Sequence, residues 1–481
     1  MEVQVQSSDE PLLSINPSWV VVDTEICRKE LASICAAADD PTTTTEARAS
    51  NDELVRVSFA LRALPGASRL CIHCPEGHEL SCFDTILAAH GGAVLFRLEV
   101  DYKGLPPVRY AVDYFVYRAA NPHGPMLSLL PRCYSTEKEV EAAEAGSWRR
   151  NPRLAPAPGR NSGTGLLLVG DDGGDFVVAE LHLDLARLEG DDADAPLEAE
   201  LFRLRIRSGW EAPTAINAGE WEVKHARARG GKAKFQDLLC WWWADAVVAY
   251  GGYLCWVDYS RGVIFCDVSR ESPDLQYLAL PVEHIPFGYP DPCHVGWTQA
   301  SRAVCITGSS GRTMKFINVA RSDGMLSGKS ETGSDFTITI STLMHRGYDD
   351  TDFTITISTL MHRGYNDMGW EEDGTIEATQ LWGMEGYSDQ LPRVASQFPL
   401  VGMDDPNIIY FVLMEGHTLG AGAKAWMVAL DMDICKVLWY KDIKATPDDE
   451  DAETAPCNIF CNSPFLPTEF SKHLRKAAPS S

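Results

Sequence analysis

Basic residues are scarce in this chain. Lys plus Arg number 42 against 68 Asp plus Glu in 481 residues, a formal net charge of −26. Such a surface repels phosphate backbones and anionic headgroups, so neither nucleic acid nor a membrane surface is expected as a partner. Long apolar runs are missing as well, and nothing approaches the about 18 residues that a spanning helix needs. Helical periodicity is scarce. The best helix candidate, EKEVEAAEAGSW (137–148), is short and polar. The opening MEVQVQSSDEPLLSINPSW has no basic start followed by an apolar core, and the closing RKAAPSS has no lipidation or retention signal. The expected address is cytoplasmic and/or nuclear, where the 14 cysteines would stay reduced as small hydrophobes.

Several reaction motifs are missing too. Gly230-Gly231-Lys232-Ala233 lacks the upstream glycine and the Ser/Thr of a phosphate loop. EGDDADAP (189–196) lacks the sixth-position glycine and the closing Glu of a calcium-binding EF-hand. There is no Gly-x-Ser-x-Gly elbow.

What the chain does have is short β-prone runs. LVRVSFAL (54–61), AVLFRLEV (93–100), DFVVAELHL (175–183), TMKFINVA (313–320) and NIIYFVLME (407–415) are β-branched or aromatic and punctuated by Gly, Pro and Asp. The clearest hairpin spans Tyr253–Val268, with Tyr259-Ser260-Arg261-Gly262 as its turn and Gly262 supplying positive φ. A second pairs runs within 408–432 around a Gly-rich loop. The expected fold is all-β and β-propeller-like, with six or seven irregular blades and few short helices. Residues 1–16 are expected to be a flexible N-terminus and 17–445 the body. Residues 446–481 are expected to form an acidic linker (TPDDEDAETAP, 446–456) and a C-terminal tail.

One repeat is perfect: DFTITISTLMHRGY at 335–348 returns at 352–365. Two copies of a 17-residue period are too few and too short for a solenoid, so this is a local duplication. A blade has room for one such strand, and the surplus copy is expected outside the sheet.

Three side-chain groups invite a chemical reading. Cys71, Cys74, His78 and Cys82 could hold tetrahedral zinc, although strand alternation would send Cys71 and Cys74 to opposite faces. Apart from that zinc, no cofactor is expected. Trp241, Trp242 and Trp243, with Tyr253 and Trp256, concentrate aromatic surface; they either fill space between sheets or anchor a partner. Asp258 and Asp267 flank the 253–268 hairpin and are read as turn caps rather than as an acid/base pair. The basic run from Lys224 to Lys234 could dock an acidic partner or the chain's own acidic loops.

The region 241–470 resembles the DUF1618 family, uncharacterised plant proteins expanded in grasses, with the family-specific part at about 241–445. The resemblance rests on YLCWVDYSRGVIFCDV (253–268), LQYLALP (275–281), GRTMKFINV (311–319), MGWEEDGTIEATQLW (368–382), FPLVGMDDPNIIYFVL (398–413), WMVALDM (426–432) and SPFLPTEFSKHL (463–474). SWVVVDTEI (18–26) and the run 54–77 are also similar. The resemblance implies no catalytic residues. The hairpins also look like the β-domains that follow F-box motifs, but no F-box helix set is recognisable here. The expected function is a non-catalytic adaptor that binds an unknown protein partner. The alternatives are a propeller-type enzyme with carboxylates in a central channel and a zinc-dependent adaptor.

Overall fold

The computed structural model describes residues 17–30, 41–74, 84–100, 111–119, 124–131, 133, 163–169, 175–183, 196–206, 220–231, 242–282, 298–308, 313–321, 353–364, 367–415, 424–443 and 465–474. The helix candidate at 137–148, the expected flexible segment 1–16 and the acidic linker 446–456 lie outside them.

The described residues form an all-β, propeller-like body. After β1 (Val20–Asp23), the first blade is the four-stranded sheet of β2 (Cys27–Glu30), β3 (Thr45–Arg48), β4 (Leu54–Ala60) and β5 (Arg69–Cys74). The second is the meander β6 (Thr85–His90), β7 (Ala93–Val100), β8 (Ala111–Arg118) and β9 (Met126–Leu129). The third runs β10 (Thr164–Val169), β11 (Asp175–Leu183), β12 (Pro196–Ile206) and β13 (Glu222–Gly231). The fourth is β14 (Ala246–Tyr250), β15 (Tyr253–Asp258), β16 (Gly262–Cys266) and β17 (Asp274–Ala279). The fifth follows a one-turn helix α1 (Thr298–Ser301) with β18 (Arg302–Thr307), β19 (Thr313–Arg321), β20 (Phe353–Gly364) and β21 (Asp367–Glu377). After α2 (Ala378–Trp382), the sixth holds β22 (Gln397–Val401), β23 (Ile408–Met414), β24 (Ala425–Asp431) and β25 (Lys436–Asp442). A last strand, β26 (Phe465–Thr468), pairs antiparallel with β1. A short parallel contact between β13 and β17 joins the third and fourth blades into one eight-stranded sheet. No helix among the described residues is long and apolar enough to cross a membrane.

Each hydrophobic cluster is shared by successive blades. Val57, Phe59, Phe96 and Phe115 fill the space between the first and second. Leu95, Val116, Phe176 and Phe202 do so between the second and third. Ala179, Leu201, Leu254 and Trp256 follow between the third and fourth, and Val257, Phe265, Phe316 and Leu360 between the fourth and fifth. The sixth blade shares its cluster with the fifth and reaches Val21 and Phe465. No blade buries both faces by itself, so the stack must close into a ring to cover its first and last faces.

Closure is made by the two ends of the chain. β26 pairs with β1, and Val22 of β1 bridges to Ser68 at the head of β5. Ser471 Oγ donates to the Pro17 carbonyl at 2.8 Å. The Phe470 ring, fully buried, lies 4.5 Å from that of Phe59. Residues 465–474, which the sequence reading assigned to a C-terminal tail, are therefore part of the body. Phe465, Phe470 and Leu474 are apolar enough to repay the cost of ordering the segment.

The 253–268 hairpin forms as expected, with Asp258 opposite Gly262 across its turn. Gly262 is needed for a different reason than expected. A Cβ there would sit 2.5 Å from the Leu278 carbonyl and collide with the Tyr277 ring, so the glycine permits close approach of β17. Positive φ falls instead on Gly251 and Gly252, in the β14–β15 turn.

The second copy of the repeat is β20, paired with β19 on one side and β21 on the other, with Phe353, Ile355 and Ile357 buried. The first copy, 335–348, lies outside the described residues. Deleting 335–351 removes one period and leaves β20 intact. The expected melting temperature is unchanged or higher; a drop of several degrees in a thermal melt would contradict this.

Two polar bolts hold the third and fourth blades together. Trp256, 1% exposed, donates from Nε1 to the Gly163 carbonyl at 2.5 Å. Arg203, with no exposed surface, donates to the carbonyls of Val268 and Arg270 and to Glu222. Arg203→Ala strands those acceptors and opens a void. It is expected to cost about 3 kcal/mol or more in denaturant unfolding, while Glu271→Ala, which touches the same cluster from solvent, changes stability little.

Candidate functional site

The inner strands β6, β14, β18, β22 and β26 surround a cavity of about 550 Å³. Contacts between their ends give them a common direction around it. At their finishing ends, the Gly308 N–H donates to the Met403 carbonyl at 2.9 Å, and Glu469 lies close enough to His90 to act on its charge. At their starting ends, Gln299 Nε2 donates to the Asp245 carbonyl at 2.9 Å. The cavity therefore has two polar ends separated by about five strand residues, or ~16 Å. Thr85, Asp245, Gln299 and Arg302 lie at the first end and His90 and Glu469 at the second. Ile86, Val247, Ala303 and Leu400 form apolar wall between them.

The starting end is built by a reciprocal arrangement of two aspartates. Asp245 Oδ2 accepts the Tyr259 N–H at 2.8 Å, and Asp258 Oδ2 accepts the Trp243 N–H at 3.1 Å. Asp258 also accepts the Ser260 N–H at 2.9 Å and Arg261 Nη1 at 2.8 Å. Asp258 is thus the turn cap that its position at the strand end predicted. Asp267 is another, accepting from Ser269 and Arg270. Arg302 spans to this turn: Nη1 donates to the Tyr259 carbonyl at 2.6 Å and Nε to Asn318 Oδ1 at 2.9 Å.

Burial sets the charges here. It pushes the Asp245 carboxyl up to about 8, and the neighbouring Asp258 charge pushes the same way; the Tyr259 N–H, Arg261 and Arg302 oppose. Burial also raises Asp258, against Arg261. It lowers Arg302, while the two aspartates resist. At the far end burial lowers His90, opposed by Glu469. The Leu168 N–H donates to His90 Nδ1 at 2.9 Å, which fixes the neutral ring's proton on Nε2.

The residues singled out from sequence scatter. Trp256 is a scaffold bolt. Trp242 is half-buried, edge-on to Tyr277 with ring centroids 6.4 Å apart, and Trp243 is half-buried beside it. Trp241 lies outside the described residues. Tyr253, 39% exposed, follows Gly251 and Gly252 at the cavity's finishing end. Of the zinc set only the Cys71 side chain lies among the described residues. Cys71 is joined to Cys27 by a disulfide across the parallel β2–β5 pair, so that sulfur is not free to ligate and the cysteines are not all reduced. The side chains of Cys74, His78 and Cys82 lie outside the described residues. Among the described residues no three His, Cys, Asp or Glu side chains form a metal-holding group. Lys224, from the basic run, meets the chain's own acids, Glu271 at 2.8 Å and Glu222 at 3.5 Å.

Sequence reasoning missed Asp245, Gln299, Arg302 and His90. The available signal was position alone: Asp245 and Arg302 sit just before or at the first residue of an apolar run, and His90 at the end of one.

Asp245 makes the fold pH-dependent. Its folded value lies above its unfolded one, so its contribution to stability is complete below about pH 4 and is lost as pH rises towards about 8. Asp245→Asn keeps an oxygen for the Tyr259 N–H and removes this loss. Thermal melts should show the variant equal to wild type near pH 4 and a few degrees more stable at pH 8. A gain that does not vary with pH would contradict the assignment.

A family model described as "Protein of unknown function (DUF1618)" matches residues 256–410, so the resemblance read from the sequence holds over that stretch. No curated protein sequence matches the chain. Among solved structures the chain is similar to the Bombyx mori GH32 beta-fructofuranosidase BmSUC1, with 10% identity, a TM-score of 0.25 and 88% of each chain covered. It is also similar to a mutant of that enzyme in complex with sucrose, with 9% identity, a TM-score of 0.25, and 90% of this chain and 81% of that chain covered. Likeness at this level carries no argument about what this chain does.

Proposed function

We propose that this propeller-like chain is a non-catalytic binding module, an adaptor that captures a protein partner at one rim of its channel. The observation that supports this over a carboxylate-based hydrolase is the state of the aspartate pair. A hydrolytic pair needs two carboxyl groups free to act as acid and as base or nucleophile. Both oxygens of Asp258 are committed to backbone and to Arg261, which leaves only Asp245 with a carboxyl oxygen to spare. The aspartates shape the β14–β15–β16 corner and hold the inner strands in register.

The rim at the finishing end supplies the anchor. Gly251 and Gly252 turn the chain tightly with positive φ, and Tyr253 stands exposed immediately after them. An exposed tyrosine on a rigid hairpin offers large contact area at low entropic cost, the usual make-up of an interface hot spot. Neither nucleic acid nor a membrane surface fits the charge of the chain. Affinity capture with wild-type protein and Tyr253→Ala tests the reading. A partner retained by wild type should be lost at least tenfold by the variant, with the melting temperature unchanged. Equal retention by both proteins would overturn the assignment of this rim.

A further inference from the structure

We propose that the starting end of the central cavity is a binding site for a small organic carboxylate with an apolar body, held through the Arg302 guanidinium. The inference rests on the reading of the chain as a binding module and assigns that module a small-molecule ligand.

The carrying observation is a guanidinium at the cavity wall that no carboxylate meets in salt-bridge contact among the described residues; Asp245 and Asp258 act on its charge only from further away. Arg302 is 8% exposed and lines the cavity. Its Nε and Nη1 are fixed by Asn318 and the Tyr259 carbonyl, both neutral, which sets the plane of the guanidinium. Among the described residues it makes no salt bridge, and its Nη2 has no hydrogen-bond partner. Arg203 and Arg261 meet carboxylates directly, Glu222 at 2.5 Å and Asp258 at 2.8 Å. A guanidinium withdrawn from water costs several kcal/mol unless an anion meets it, and a carboxylate is the planar acceptor that its geometry suits.

Asp245 completes the site. Its Oδ2 is held by the Tyr259 N–H, and among the described residues Oδ1 has no partner. The ionisable groups that act on it are Asp258, Arg261 and Arg302. With the carboxyl protonated at neutral pH, Asp245 is a donor beside Arg302 rather than its counterion. Two donors facing one end of a cavity select an acceptor-rich anion there. Val247, Ala303, Phe398 and Leu400 continue the wall as hydrocarbon. The volume, about 550 Å³, lies within the range of pockets that enclose a small organic molecule.

Titration calorimetry with naphthalene-2-carboxylate, its neutral carboxamide and inorganic phosphate tests the site on the full chain. The acid should bind at pH 7 at least tenfold more tightly than the amide, and phosphate should bind weakly or not at all. Wild-type affinity for the acid should fall about tenfold between pH 7 and pH 9 as Asp245 ionises, and Asp245→Asn should show no such fall. Arg302→Gln should lose the preference for acid over amide; if it does not fold, the pH comparison of wild type with Asp245→Asn still decides. Equal binding of acid and amide, no binding of either, or the same pH response in both proteins overturns the proposal. Chemical conversion of a bound acid or amide would instead overturn the non-catalytic reading. Retention of the partner by Tyr253→Ala would overturn the rim assignment and leave the carboxylate site standing.

Discussion

The pairing of β26 with β1 is the constraint on which the rest of the body depends. Each blade is a sheet with two apolar faces and can cover them only against its neighbours. An open row of blades would expose Val21 and Phe465 at one seam and Phe59 at another, all now buried. Closing the row through the first and last strands of the described chain buries those faces together. It also points the inner strands towards a common axis, and the cavity is a consequence of that arrangement.

The cavity concentrates charge where water is scarce, and the fold answers with backbone. Asp245 and Asp258 accept from each other's strand ends, and Arg302 donates into the turn between them. This lattice makes the β14–β15–β16 corner rigid. It also leaves one carboxyl oxygen and one guanidinium nitrogen without partners among the described residues. A site of that kind combines structure and recognition in the same residues, since the bonds that fix Arg302 also aim it.

Much of the local structure was legible in the sequence because strands and turns are short-range. Alternation in YLCWVD and GVIFC gave the β15–β16 hairpin, and aspartates at strand ends gave caps. The duplication itself was legible, and β20 is its second copy. What could not be read depends on distance. The Ser471–Pro17 contact joins residues 454 apart, and nothing in SPFLPTEF marks it as the partner of WVVVD. Gly262 was recognised as necessary but for the wrong reason, because the carbonyl it avoids belongs to a strand the turn does not contain. The cavity residues come one or two at a time from different blades, so no spacing links Asp245 to Arg302. The tryptophans show the same dependence on distance. They cluster in sequence, but Trp256 is fully interior while Trp242 and Trp243 are half-buried.

The most direct measurement of ring closure is a thermal melt of the chain truncated after Asn462, which removes β26 and Phe470. A closed ring predicts that cooperative unfolding is lost or that the midpoint falls by at least ~10 °C, because two apolar faces lose their cover at once. An unchanged, cooperative midpoint would show that the blades stand without the seam.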